Sequence, residues 1–319
     1  MTDPATTASL RVPEETLARE DGPPGTSPIR RYLRSATAIG LFLLGLLIVW
    51  EGFKAIAGDP WRIPDLLGQG VALEHHPPLR VPIASDLQLP HVWEIVGALA
   101  QPVQRRQTES LGEFLLGAAL YTWREAAIGF AVGAVLGLTL AAIFVHSRLV
   151  ERAFVPYVIA SQTVPIVALA PLIVIAFGRG VVAVVIIATY LTFFPVTVAG
   201  MRGLSSPDPR ALELMRSYAA SRWSVFWKVR LPASLPYLFT ALKIAATASI
   251  VGAIIGEGPG GVPDGLGRAI INFNQQYITG PEKLWATVFV SALLGIAFYL
   301  LVRLAEVLVL RGRPGGAGG

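Results

Sequence analysis

The sequence predicts an all-α protein that crosses a membrane six times, and three observations lead to this prediction. Hydrophobic residues make up 53% of the 319 residues and charged residues 15%, against about 25% charged in typical soluble domains. The mean hydropathy is +0.58. A membrane-spanning helix needs about 20 apolar residues. Six windows reach that length: Ala36–Ala57, Ala126–Val145, Ala153–Phe177, Val181–Met201, Leu235–Gly256 and Trp285–Leu310.

The segments around these windows divide the chain into a membrane domain, 36–310, and two tails. Residues 1–35 are expected to be a disordered cytoplasmic tail, because Thr, Pro and Glu dominate its first part and little apolar surface could be buried. Residues 311–319 form a second cytoplasmic tail. The polar stretch 58–115 must lie in water or on the membrane surface, and 111–125 is predicted to be a helix lying along the interface.

The distribution of basic residues predicts the orientation of the chain. With both termini in the cytoplasm, fifteen Lys and Arg residues face the cytoplasm and seven face the other side. Cytoplasmic loops of membrane proteins carry the excess of Lys and Arg. We therefore expect a multi-pass protein of the cell (inner) membrane with both termini inside.

Enzyme chemistry finds little support in this sequence. There is no cysteine, and none of the four lysines follows a glycine, so a P-loop is absent. Gly256, Gly258 and Gly261 match the spacing of a dinucleotide-binding turn, but they follow an apolar window without a strand. All four histidines lie outside the windows. We expect no catalytic residue, no metal, no cofactor and no nucleic-acid partner.

The cytoplasmic loop 202–234 is predicted to contain two short amphipathic helices. Asp208 followed by Pro209 is a typical helix start, and the first helix should run to about Tyr218. The second should begin after Ser221 and end at Leu231-Pro232. Such helices either lie on lipid headgroups or dock into a groove on a soluble protein.

This loop resembles a known motif. Glu213-Leu214-Met215, then Ala219 after three residues and Val229-Arg230-Leu231-Pro232 after nine more, is similar to the EAA loop of ABC importer permeases. The family pattern is E-A-A, three residues, G, nine residues, I-x-L-P. Ala219 replaces the glycine, and a left-handed conformation costs alanine about 1–2 kcal/mol. The resemblance implies a set of residues that couple the loop to an ATPase: Glu213, Met215, Ala219, Arg222, Leu231 and Pro232.

The resemblance continues through residues 36–310. The stretches Gly129, Gly133 and Gly137, Gln162-Thr163-Val164-Pro165 with Pro171-Leu172, and Phe193-Phe194-Pro195 are similar to the nitrate/sulfonate/taurine branch of these permeases. The runs Val251–Glu257, Gly265-Leu266-Gly267 and Tyr277–Ala286 look more like permeases for riboflavin or thiamine-precursor pyrimidines. The three glycines spaced by four are expected to form a close helix-packing face.

The resemblance implies the permease subunit of a type I importer. Its partners would be a cytoplasmic ATP-binding subunit, an extracytoplasmic solute-binding protein, a second permease subunit (a homodimer or a paralogue) and membrane lipid. The solute would be riboflavin, a related vitamin or a pyrimidine precursor, with a nitrate-, sulfonate- or taurine-type solute as the alternative. An autonomous channel or secondary transporter would require intramembrane acidic pairs or an inverted repeat, and the sequence makes neither evident.

A translocation pathway is expected beside the third window. Pro165 and Pro171 free backbone carbonyls from helix hydrogen bonds, and irregular backbone at membrane depth is tolerated where it faces protein or a watery cavity. Alternatively, the prolines only bend a packed helix. Glu257 is expected to open a loop on the outer side. The pathway residues predicted in this way are Gln162, Thr163, Pro165 and Glu257.

Overall fold

A computed structural model of the chain describes residues 28–63, 73–104 and 108–311. Most of the two predicted tails, 1–27 and 312–319, lies outside the described residues. The helices are α1 Pro28–Ala57, α2 Val92–Ala98, α3 Leu111–His146, α4 Arg148–Ser161, α5 Ile166–Phe177, α6 Val181–Leu204, α7 Pro209–Ser217, α8 Arg222–Val225, α9 Leu231–Gly260, α10 Leu266–Gln275 and α11 Pro281–Leu310. The strands are β1 Trp61–Ile63 and β2 Leu73–His75, and 3₁₀ turns span Pro82–Ala84 and Tyr277–Thr279.

The all-α prediction is confirmed, apart from the small antiparallel ribbon of β1 and β2. Within the described residues, α1, α3, α6, α9 and α11 are each long and apolar enough to cross a membrane. The bent pair α4 and α5 brings the number to six if it forms one broken span.

Several helices are longer than the sequence predicted, and α3, α9 and α1 differ most. Residues 111–125 do not form a separate interfacial helix but are the first turns of α3, because Ser110 and Glu113 cap the start and no breaker follows. The helix α9 runs from Leu231 through Gly256 to Gly260, since Pro259 stands in its last turn and the left-handed Gly261 ends it. The helix α1 also begins at Pro28, ahead of Ala36.

Helix α6 forms the centre of the fold, with α3 on one side and α9 on the other. A Cβ atom added at Gly129, Gly133 or Gly137 of α3 would lie 2.4–2.6 Å from atoms of α6. On the other side, a Cβ at Gly252 of α9 would lie 2.9 Å from the Ala188 Cα. The predicted glycine packing face is confirmed, since only glycine allows helices to approach this closely.

A second layer covers the ends of α3 and α9 that are remote from α7. Its apolar core joins α2, the start of α3, α10 and the start of α11 through Ile95, Leu111, Leu115, Leu266 and Phe273. Partly buried polar contacts attach α1 to this layer: the Lys54 ammonium pairs with Asp86, and the Glu51 carboxylate accepts from His91 Nδ1 at 2.7 Å.

Candidate functional site

The first candidate site is the loop between α6 and α9. Helix α7 begins where the sequence predicted, because the Asp208 side chain accepts from the Arg210 N–H at 2.8 Å and Pro209 occupies the first turn. No residue of α7 is buried. This helix therefore projects from the bundle, with only Ala211, Leu212 and Met215 partly covered.

Ala219 ends α7 in the left-handed conformation, with φ of 52°. The Ala219 N–H donates to the Arg216 carbonyl at 2.9 Å, and the Ala220 N–H donates to the Met215 carbonyl at 3.0 Å. These two bonds are the Schellman arrangement, in which glycine is the usual residue at the left-handed position. Alanine therefore occupies the position of the family's glycine in a left-handed turn, at a cost of about 1–2 kcal/mol.

The second helix of the loop starts at Arg222, capped by the Ser221 hydroxyl, which accepts from the Ser224 N–H at 3.2 Å. The prediction that it ends at Leu231-Pro232 is wrong. A π-helical turn, Phe226–Arg230, leads from α8 directly into α9. Because Pro232 stands in the first turn of α9 and lacks an N–H, the wider turn accommodates it without ending the helix.

Two contacts fix the base of this loop to the bundle. Phe226 is buried with Ala141 of α3 and Leu204 of α6. The Arg230 guanidinium donates from Nη1 to the Leu204 carbonyl at 2.8 Å. These contacts tie the loop to α3 and to the end of α6.

The surface of the loop combines exposed aromatic and aliphatic side chains. Leu214 is 57% exposed, Tyr218 76%, Trp223 69% and Trp227 50%. Of the predicted coupling residues, Glu213, Ala219 and Arg222 are exposed, whereas Met215, Leu231 and Pro232 are partly buried. The structure places all six within one continuous segment from α7 to the first turn of α9.

The second candidate site is the break between α4 and α5, at Gln162–Pro165, where the helix axis turns by 102°. Pro165 leaves the Ser161 carbonyl without its helix partner. The Tyr190 hydroxyl of α6 donates to this carbonyl instead. The predicted break is therefore present, and Gln162, Thr163 and Pro165 are exposed along it.

Glu257 does not belong with these exposed residues. The prediction that it opens an outer loop is wrong, because it lies inside α9 and is fully buried. Its Oε2 accepts from the Gly267 N–H of α10. The carboxyl group fills the space that side chains at Gly265 and Gly267 would need, since a Cβ at either glycine would lie within 3 Å of it.

The neighbour of Glu257 was not predicted from the sequence. Glu125 of α3 is 1% exposed, and its carboxyl group lies beside that of Glu257. The structure therefore contains a buried acidic pair that the sequence did not make evident. Its only signal was the position of Glu125 directly before an apolar window. A further, partly buried ion pair joins Lys243 of α9 to Glu306 of α11 at 2.7 Å.

Comparison with known proteins places this fold among transport proteins. Residues 133–309 match the family described as the inner membrane component of binding-protein-dependent transport systems. The formylaminopyrimidine transport permease protein ThiX of Halalkalibacterium halodurans is 31% identical over 274 residues, covering 85% of this chain and 93% of that protein.

Other relatives cover less of the chain. The riboflavin transport system permease protein RibX of Chloroflexus aurantiacus is 32% identical over 166 residues, which are 52% of this chain and 61% of that protein. The putative aliphatic sulfonates transport permease protein SsuC of Bacillus subtilis is 26% identical, covering 70% and 83%. A crystal structure of an amino acid ABC transporter shares the fold, with a TM-score of 0.50, 18% identity and coverage of 61% of this chain and 94% of that one.

Proposed function

The chain belongs to the family of inner membrane components of binding-protein-dependent transport systems and is a permease subunit of an ABC importer. From this premise we propose which solute it transports and which partner supplies the energy for transport. The solute is riboflavin, a related vitamin or a pyrimidine precursor. The observation that carries this proposal is the match to the formylaminopyrimidine permease across 93% of that protein.

The proposed solute is tested by uptake into proteoliposomes. The importer is reconstituted with the solute-binding protein and ATPase encoded beside it, and labelled riboflavin, formylaminopyrimidine, taurine and nitrate are offered in turn. We expect ATP-dependent uptake of a heteroaromatic solute only. Uptake confined to taurine or nitrate would overturn the proposed solute and leave the permease assignment intact.

ATP hydrolysis by a separate ATP-binding subunit drives transport. This subunit docks on the loop from α7 to the π-helical turn. The exposed Leu214, Tyr218 and Trp223 provide an apolar surface for a groove, and the exposed Glu213 provides a charge. The buried Phe226 and the bonded Arg230 connect that surface to α3 and α6. Both termini are proposed to lie on the same, cytoplasmic side.

Translocation follows a path between two permease subunits, and the break at Gln162–Pro165 lines it. Support comes from the exposed polar side chains of Gln162 and Thr163 at a kink in an otherwise apolar helix pair. The second subunit is a further copy of this chain or a paralogue. An extracytoplasmic binding protein delivers the solute on the side remote from α7.

Docking is tested with charge and backbone variants of the loop. Glu213→Lys reverses an exposed charge and should weaken retention of the ATPase by at least about tenfold. Glu109→Lys is the matched control. Glu109 is also exposed, but it lies just before the first turn of α3, whereas the loop contacts α3 near its last turn. Tightened lipid binding with normal ATPase retention in Glu213→Lys would show that the loop lies on headgroups.

A backbone variant tests the same loop independently of charge. Ala219→Pro cannot adopt a φ of 52° and removes the N–H that bonds the Arg216 carbonyl. Transport should fall sharply, while Ala219→Gly, which fits the left-handed turn, should transport normally. Wild-type transport by both variants would refute a role for this turn in coupling.

A further inference from the structure

The acidic pair of Glu125 and Glu257 has no role in the proposed function. The contacts around the two carboxyl groups indicate which ligand could bind there. Glu125 is 1% exposed and Glu257 0% exposed. Both oxygens of Glu125 and Oε1 of Glu257 have no hydrogen-bond donor around them. Burial of one unpaired carboxylate is costly, and two adjacent carboxylates repel each other as well.

The two carboxyl groups differ in the donors that they receive. Glu257 accepts from the backbone N–H of Gly267, and the Arg268 N–H and the Thr122 hydroxyl lie nearby as further donors. The Thr122 oxygen in turn accepts from the Leu266 N–H at 2.8 Å. This set of donors fits a carboxylate at Glu257. Glu125 receives no donor, which fits a neutral carboxylic acid.

The charged and titratable groups near the pair leave it unneutralised. Within the described residues no ion pair reaches either carboxyl group. Arg124 is on α3 beside Glu125 but is exposed, and Tyr121 of α3 and Asp264, just before α10, bring no positive charge. No group of three metal-ligating side chains occurs in the described parts of the chain, so a proton is the cation that fits.

We propose that Glu125 and Glu257 form a proton-binding site in which the Glu125 carboxylic acid donates its O–H to Oε1 of Glu257. The bound proton joins α3 to α9, and the donors of Gly267 and Arg268 join α9 to α10. Separation of these helices exposes the pair and releases the proton. The inference is independent of the solute and of the docking loop.

The sign of the pH dependence follows from this binding. The closed packing holds one proton that the separated helices release at neutral pH, so rising pH favours separation. Above the pH at which a solvated glutamate ionises, the equilibrium between closed and open packing should shift by up to about tenfold per pH unit. Glu125→Gln keeps a neutral donor toward Glu257 and should abolish that slope.

Infrared spectroscopy of the full chain in lipid nanodiscs tests the site directly. We expect the carbonyl band of a buried, protonated carboxylic acid at neutral pH, its loss on alkalinisation, and its absence in Glu125→Gln. The matched control is Glu113→Gln, which removes an exposed carboxyl group from the same helix and should leave the band in place.

Thermal unfolding of the same samples between mildly acidic and mildly alkaline pH supplies the second readout. The wild type and Glu113→Gln should lose stability as the pH rises, and Glu125→Gln should be nearly independent of pH. Absence of the carboxylic acid band in the wild type, which needs no folded variant, would overturn the proposal. So would an equal pH slope in Glu125→Gln, or stabilisation of the wild type by Na⁺ or K⁺ in place of protons.

Discussion

Substitution of Gly133 by alanine tests the close packing of α3 on α6. The added Cβ would lie 2.6 Å from the Thr192 Cβ and 2.9 Å from the Thr189 carbonyl oxygen. Carbon atoms in contact prefer about 3.5–4.0 Å, so α3 would have to move away from α6 by about 1 Å. Overpacking of this kind costs about 1–3 kcal/mol.

Gly117→Ala is the matched control on the same helix. A Cβ at Gly117 meets nothing within 4 Å, so this variant carries the backbone gain of a glycine-to-alanine change, about 1 kcal/mol, without the clash. The difference between the two variants isolates the cost of overpacking. At about 2–4 °C per kcal/mol, Gly133→Ala should unfold several degrees below Gly117→Ala.

The assay is thermal unfolding in nanodiscs, followed by tryptophan fluorescence and by helical circular dichroism. Equal unfolding temperatures for the two variants, or a higher one for Gly133→Ala, would refute the close contact of α3 and α6.

Three further predictions concern single contacts. Ala219→Gly should stabilise the turn after α7 by up to about 1 kcal/mol, because glycine adopts a φ of 52° without strain; slower amide hydrogen exchange at the end of α7 would show it. Tyr190→Phe leaves the Ser161 carbonyl without its donor and should speed amide hydrogen exchange around the break, because the free energy of local opening falls by about 1–3 kcal/mol. Lys243→Met leaves the partly buried Glu306 carboxylate without its partner and should lower the stability in thermal unfolding by less than the about 3 kcal/mol of a fully buried pair, whereas adding Glu306→Leu should restore most of the loss.

Local signals in the sequence were enough to place the starts of both helices in the loop after α6 and the break between α4 and α5. Asp208-Pro209 and Ser221 cap helices through neighbours two or three residues away, so the information is contained in the sequence window itself. Pro165 acts on its own turn for the same reason. The spacing of the glycines likewise predicts a packing face, since residues four apart lie on one side of a helix.

Contacts between segments that are far apart in the sequence could not be predicted from these local signals. Glu125 and Glu257 meet only because α3 and α9 pack beside each other, and each looked like the edge of an apolar window. The pairing of Lys243 with Glu306 depends on the same tertiary arrangement. Continuity through Pro232 was missed because a proline ends a helix only when the preceding turn cannot widen.

Helix α9 runs without interruption from the loop after α6 to the buried Glu257. From Leu231, beside the loop, to Glu257 the helix rises by about 39 Å at 1.5 Å per residue. A rocking motion of about 5° around its lower end moves the upper end by about 3 Å. That travel is similar to the length of one hydrogen bond, so a tilt of this size would separate α9 from α10 and break contacts such as the bond from the Gly267 N–H to Glu257.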